Sequence, residues 1–584
     1  MLRQGPTVVI GFDRAAVLRA ILLTGIQLGL AGCQGNIGGG AGSTPGSGAG
    51  GAGVTAGLPV GAGAAGSGAI AACKASAVPS IPAVPLQRLT QQQYLNSVRD
   101  LLGMPNIASL GLGLPADEKI GAFRSNTIAP LGDLGASQYQ SAAHQLATLA
   151  VNQVPTILPC AAAQLNAACV SQFTTQFGRR AYRRPLTTSE QSAYATLVAA
   201  SNGAGDFKTS ARLVVEAMLQ SPNFLYRVEL PPAGAVAGTP LRLGAHELAT
   251  RLAFFLWDST PDETLLAAAD GNQLAGQALT TQTQRLIADN RFKDGIASFF
   301  SQWLDVDTMA TMTKDAKLFP AFTPALGAAM QSEPLDFATY VLKQGDGKLS
   351  TLLTAPYSIL SAPLFSVYGI KQPANYNAGA AATTPVTLPA TQRAGLLTQP
   401  GFLAIHAHPD QTSPVLLGKA IRQNFLCQTL PDPPPNVNTS LPATSPGQTT
   451  RQRFAQHELD PVCGACHQLM DPVGLGFSNY DAMGVFQVME GGQTIDASGN
   501  LLQAGDATTT FNGVVDLATK LARSQTVQQC ASLQWMRFAL GRQEAPEDAC
   551  SIASINADFN KSGQNINALL VSIVSSDAFQ WRAN

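Results

Sequence analysis

Charge is scarce in this sequence. Only 12% of its 584 residues are Asp, Glu, Lys or Arg, and 36 basic against 37 acidic side chains leave a formal net charge of −1. Such a balance provides no basic field to attract nucleic acid, so no nucleic-acid partner is expected. No stretch beyond the first thirty-odd residues is long and apolar enough to cross a bilayer. Strand signal is sparse, and no fixed-period repeat of the solenoid kind is present. The sequence has no Gly-x-Ser-x-Gly elbow, no phosphate-binding glycine loop ending in Lys-Ser/Thr and no His-Glu-x-x-His. These absences remove the usual signatures of serine hydrolases, nucleotide-phosphate binders and zinc peptidases. "DASGN" at Asp496–Asn500 lacks the ligand spacing of a calcium loop and reads as a turn.

What is present begins with an unusual N-terminus. Arg3, Arg14 and Arg19 precede the short apolar run "AILLTGIQLGLAGC", the pattern of a secretory signal. "LAGC" at Leu30–Cys33 has the form of a bacterial lipobox, which implies cleavage before Cys33 and a lipid on its sulfur; an ordinary signal peptide with a chance cysteine is the alternative. Gln34 follows where Asp would retain the protein at the inner membrane, so an outer-membrane lipoprotein is expected, anchored by its acyl chains. From Gly35 to about Ala72 nearly every residue is Gly, Ala, Ser or Pro. A segment with so little to bury reads as a tether.

The body beyond it reads as mainly helical. "RLTQQQYLNSVRDLLG" has Thr90 and Gln93 as a capping box, an apolar face of Tyr94, Val98, Leu101 and Leu102, and Gly103 as the stop. Thr187 and Glu190 repeat the device. "GAHELATRLAFFLWDSTPDETLL" predicts two helices, the second starting at Thr260 with Pro261 at its first position. "CASLQWMRFALGR" and "NALLVSIVSSDAF" predict two more, and Gly491-Gly492 predicts a small β-hairpin. "LPDPPPNV" at Leu430–Val437 cannot be helix interior and is expected to lie extended. "RRAYRRP" reads as a helix end whose arginines pair with carboxylates, with an anion or haem propionates as the alternative.

One short stretch carries chemistry: "DPVCGACHQLMDP", Asp460 to Pro472. Asp460 suits an N-cap, Pro461 a first helical position, and Asp471-Pro472 is expected to end the helix. Two thiols on one helical turn can add to the vinyl groups of one porphyrin edge, and His467 can then ligate the iron from below. Cys463, Cys466 and His467 are therefore read as holding one covalent haem c, with a Cys463–Cys466 disulfide or part of a zinc site as rivals. A structural zinc site needs four ligands, and no second Cys-x-x-Cys or His-x-x-x-His follows at the usual spacing. Met483 is the possible sixth ligand, because it follows a loop, whereas Met470 lies one turn from His467 on the same side. Met489, Met536, His406 and His408 are further options. An iron with an open position would favour enzyme chemistry, a six-coordinate iron electron transfer.

Cys73, Cys160, Cys169, Cys427, Cys530 and Cys550 remain, an even number in an exported chain, and six cysteines allow fifteen pairings. Short loops suggest Cys160–Cys169 and Cys530–Cys550, leaving Cys73–Cys427 by subtraction.

The ordered segments "RLTQQQYLNSVRDLLG", "FGRRAYRRPLTTSEQ", "ELATRLAFFLWDSTPDETLL", "GLLTQPGFLAIHAHPDQTSPVLLGKAIRQNFLC", "DPVCGACHQLMDPVGLGFSNYDAMG" and "CASLQWMRFALGR" resemble exported, cytochrome-c-like multidomain proteins of planctomycetes and myxobacteria. These are built from domains of unknown function numbered 1587, 1595, 1592, 1588 and 1585 in chain order. The resemblance implies that Cys463, Cys466 and His467 are the family's haem-attachment residues. Leu417 and Ser361 depart from its pattern, where Arg and Asn are usual. The expected organisation is a signal peptide over 1–33, a flexible linker over 34–82, and helical domains over 83–150, 151–232 and 240–372. A haem-site domain over 390–500 and a C-terminal helical domain over 505–584 follow. The expectation is a multi-helical body with a c-type cytochrome-like C-terminal region, transferring electrons to or from a redox partner protein. A surface polymer-binding module with a purely structural Cys pair is the alternative.

Overall fold

Local capping chemistry sets where the helices begin. The computed structural model describes residues 79–583 apart from 154–166, 201–206, 230–233, 237, 375, 378–383, 431–445 and 460–463. The expectations for the signal, the lipobox, most of the linker and the proline-rich segment after Leu430 fall outside the described residues. Among those described, no helix is long and apolar enough to cross a membrane. The fold is mainly helical, with short two-stranded pairings between the helices.

Strand β1 (Gln87–Arg88) leads into α1 (Gln91–Leu102), where Thr90 Oγ accepts from Gln93 N and Gly103, at φ 67°, closes the last turn. Helices α2 (Asp133–Gln153), α3 (Ala167–Tyr182), α4 (Thr188–Ala200) and α5 (Phe207–Leu219) complete an N-terminal layer. Glu190 and Thr187 exchange their hydrogen bonds as expected of a capping box, at 2.8 and 3.2 Å. This layer has its own core, formed by residues such as Tyr94, Leu146, Phe173 and Val214. Strand β2 (Tyr226–Arg227) returns antiparallel to β1 and ties the end of the layer to its start.

A second and larger core begins at β3 (Leu241–Arg242) and α6 (Ala245–Trp257) and continues to the C-terminal end. Helix α7 (Glu263–Asp270) corrects the expected start at Thr260, because Asp262 is the N-cap, accepting from Leu265 N at 2.9 Å. Thr260 instead spends its hydroxyl on the Arg180 carbonyl, and Asp258 takes a left-handed conformation at φ 52°. Helices α8 (Gly276–Ala288), α9 (Phe292–Trp303) and α10 (Pro324–Lys343) follow. Then come α11 (Pro400–Ile405), α12 (Pro414–Ala420), a one-turn π-helix at Ile421–Phe425, α13 (Thr450–Leu459) and α14 (Gly464–Gly474).

The expected hairpin forms as β4 (Met489–Glu490) and β5 (Gln493–Thr494) around Gly491-Gly492. A further ribbon of β6 (Ser498–Leu501) and β7 (Thr509–Asn512) follows it in sequence. Helices α15 (Gly513–Leu521), α16 (Gln525–Leu540), α17 (Ala549–Lys561) and α18 (Ile566–Ser575) end the body, and β8 (Trp581–Arg582) pairs antiparallel with β3. Phe299 of α9 stacks on Trp535 of α16 at 3.6 Å between ring centroids, so helices far apart in sequence share one interior.

The disulfide expectations change in two places. Cys530 bonds Cys427, not Cys550, because the π-helical turn after α12 delivers Cys427 to the first half of α16. That pairing also excludes Cys73–Cys427. Cys169 and Cys550 are disulfide-bonded as well.

Candidate functional site

Helix α14 carries the second half of the Cys-x-x-Cys-His motif, and its placement depends on two glycines. A Cβ added at Gly418 would lie 2.0 Å from the Met470 carbonyl oxygen, and one at Gly474 would lie 1.9 Å from that of Pro414. Helices α12 and α14 therefore cross at backbone contact, a separation only glycine permits. Arg422, 1% exposed, locks the crossing. Its guanidinium donates to the carbonyls of Leu469 at 2.5 Å and Leu502 at 2.8 Å and to Gln428 Oε1 at 2.7 Å. With no carboxylate beside it, burial pushes this guanidinium down to about 10. The helix does not stop at Asp471-Pro472 as expected but runs through Pro472 to Gly474. Continuation places Asp471 inside the helix, one turn after His467.

That turn builds the site. His467 Nδ1 lies 2.9 Å from Asp471 Oδ2, an i,i+4 pair in which the histidine is partly exposed and the carboxylate is fully buried. A carboxylate only accepts, so Nδ1 carries the proton of the neutral ring and the lone pair is assigned to Nε2. Asp471 Oδ1 is sealed from solvent with no hydrogen-bond partner. Cys466, immediately before His467, is a half-buried free thiol. Cys463, the other expected attachment residue, lies outside the described residues. The donor set that is described fits a c-type haem: a free thiol beside an imidazole whose Nδ1 faces a buried acid. Among the described residues, no three of His, Cys, Asp and Glu converge to hold a bare metal ion.

The sixth-ligand candidates occupy varied surroundings. Met483 is 3% exposed in the larger core, in a turn where Gly484 abuts Pro400 and Leu403 of α11. Met470 is buried against α12, Met536 is buried in α16, and Met489 is 48% exposed on β4. His406 is buried, its Nδ1 2.8 Å from the Phe402 carbonyl and its Nε2 3.9 Å from Asp305 Oδ2. Burial lowers the pKa of His408.

A second polar cluster, which no sequence signal marked, lies inside the larger core. Glu333 of α10 is 1% exposed and accepts from Ser358 Oγ at 2.7 Å and from the Tyr368 hydroxyl. Burial, only partly offset by those bonds and by Arg393, pushes its carboxyl up to about 7. Arg393 sits between the rings of Tyr368 and Tyr480, at 4.5 and 5.0 Å from their centroids, and donates to the carbonyls of Thr398 and Gly484. This network joins α10 to the turn holding Met483. In "RRAYRRP", Arg179 pairs with Glu263 and Asp270 and Arg184 with Glu190. Arg180 and Arg183 donate to backbone carbonyls instead.

Five family models match the chain in series, each described as a protein of unknown function: DUF1587 over residues 87–152, DUF1595 over 169–229, DUF1592 over 243–370, DUF1588 over 393–490 and DUF1585 over 508–579. The larger core is thus shared by the last three, and Cys466, His467 and Asp471 lie in the DUF1588 segment. No curated protein and no solved structure matches.

Proposed function

From a chain built of DUF1587, DUF1595, DUF1592, DUF1588 and DUF1585 in series, we propose an exported, lipid-anchored monohaem c-type cytochrome that exchanges electrons with an oxidoreductase outside the cytoplasm. The observation that carries this reading is the Cys463-Gly-Ala-Cys466-His467 motif, with His467 oriented by the buried Asp471. A bound haem would supply a one-electron iron couple. Cys463 and Cys466 would hold the porphyrin through thioether bonds. His467 would present Nε2 to the metal, and Asp471 would keep Nδ1 protonated and the ring fixed in orientation. Met483 is proposed as the residue that would supply the iron's further ligand. Lipidation of Cys33 would keep the protein at the outer membrane through the Gly- and Ala-rich tether.

The deciding experiment is expression of the full-length protein with haem-maturation machinery, followed by a pyridine-haemochrome spectrum of the denatured product. One covalent haem per chain is expected, and none in the Cys463→Ala/Cys466→Ala double variant. A colourless product, or a double variant that still carries covalent haem, rejects the proposal. In the native ferric protein, Met483→Leu is expected to abolish the methionine–iron charge-transfer band.

A further inference from the structure

Four arginines from distant parts of the chain border one cavity of about 190 Å³. It lies where β1 meets β2 and the C-terminal strand β8 meets β3. Three of the four have partners for their terminal nitrogens, although Arg542 Nε, like that of Arg227, is buried without one. Arg251 grips Glu229 through two bonds of 2.6 and 2.7 Å, Arg542 grips Asp548 at 2.6 and 2.9 Å, and Arg582 donates to the Glu229 carbonyl.

Arg227 differs. Among the described residues its guanidinium has no hydrogen bond or ion pair, and its Nε is sealed from solvent without a partner. It sits 5.5 Å from the centroid of Phe254, and the same ring carries Arg183 at 5.6 Å. Arg183 binds only carbonyls, so neither cation has a carboxylate of its own. Burial, partly offset by the attraction of Glu229 and Asp258, pushes Arg227 down to about 10 and, with the repulsion of Arg227 added, burial pushes Arg183 to about 9. Guanidinium groups stay charged in proteins, and a half-buried charge with no hydrogen-bonded counter-ion is costly. Relief comes from an oxyanion that can take the planar fork.

We propose that this cavity binds a small monocarboxylate, with its carboxylate on Arg227 and its apolar body against Leu86, Leu540 and Ala578. The charge count favours a single carboxylate, because one bordering guanidinium lacks a partner while Glu229, also on the wall, repels a polyanion. Size agrees. The volume equals about six waters at ~30 Å³ each and falls below the roughly 300–1,000 Å³ of pockets for drug-sized ligands. Beside the polar wall, Leu86, Leu540 and Ala578 supply apolar contact that a short alkyl body would use and inorganic phosphate would not. The site draws on the DUF1595, DUF1592 and DUF1585 segments and does not depend on the haem reading.

Calorimetric titration of the full-length protein with sodium hexanoate, hexanamide and inorganic phosphate tests the proposal. Hexanoate is expected to bind saturably at one equivalent, hexanamide not at all, and Arg227→Gln to weaken hexanoate by about 10–100-fold, the loss of one charge-assisted pair. Absence of saturable hexanoate binding, equal binding of hexanamide, or phosphate binding with hexanoate silent overturns it. So does an Arg227→Gln variant that binds hexanoate as tightly as the parent. The contrast between hexanoate and its amide is read on the unmodified protein, so it decides the matter even if the variant does not fold.

Discussion

Asp471 shows how one side chain can set the chemistry of its neighbour. A carboxylate hydrogen-bonded to Nδ1 makes the imidazole a stronger donor, which would stabilise the ferric state of a ligated iron. Asp471→Asn in the haem-loaded protein should therefore keep the thioether-bound haem and shift the midpoint potential upward in a spectroelectrochemical titration. An unmoved midpoint would remove Asp471 from that role. Glu333 makes a separate prediction. Its carboxyl is raised from 4.5 to about 7, so the folded state holds this proton more tightly than the unfolded chain does. The resulting stabilisation is complete below the unfolded pKa and is lost as pH rises through the folded one. Glu333→Gln keeps a neutral group there, so it should gain stability over the parent between pH 4.5 and about 7 and hold that gain above. The plateau is on the order of 3 kcal/mol at most, from 1.36 kcal/mol per pKa unit. Urea melts of both proteins across this range measure the difference, and parallel curves would contradict it.

At the scale of elements, the site depends on how closely two short helices approach. Gly418→Ala or Gly474→Ala must push α12 away from α14, because each new methyl would meet a backbone carbonyl and not a flexible side chain. Overpacking of this kind costs about 1–3 kcal/mol. Gly132→Ala, which has nothing within 4 Å of the new methyl, is the control and should stay within about ±0.5 kcal/mol. Equal denaturation midpoints for all three variants would show that the crossing tolerates separation. The elements also show which sequence signals could be read. The capping boxes at Thr90 and Thr187 are complete within four residues, so α1 and α4 start where their sequences indicate. The start of α7 does not, because Thr260 hydrogen-bonds Arg180, eighty residues earlier in the chain. Nor does α14 end at its proline. The i,i+4 spacing of His467 and Asp471 was visible, and it became informative only once the helix was seen to run past Pro472.

The whole molecule is held together by long-range closures. The Cys427–Cys530 bond spans 103 residues and joins the DUF1588 and DUF1585 segments. A loop of that length is worth up to about 5 kcal/mol of unfolded-chain entropy. Cys427→Ser/Cys530→Ser should lower the denaturation free energy by an amount approaching this. A loss under about 1 kcal/mol would mean that the shared core already restrains the two segments. The core argues for cooperation rather than beads on a string: Trp303 of α9 donates to the Asn424 carbonyl at 2.8 Å, and Phe299 stacks on Trp535. One apolar cluster runs through the DUF1592, DUF1588 and DUF1585 segments, so these three share a single interior.

The sequence by itself determined the mainly helical class, the order of the five segments, several helix starts and the motif at Cys463–His467, because each depends on residues a few positions apart. Only the tertiary structure decided the partner of Cys530, the burial of Asp471 beneath His467, the neutralising surroundings of Glu333 and the position of Arg227, without a hydrogen bond among the described residues. Those properties arise from desolvation and from contacts across tens to hundreds of residues, which no local pattern encodes.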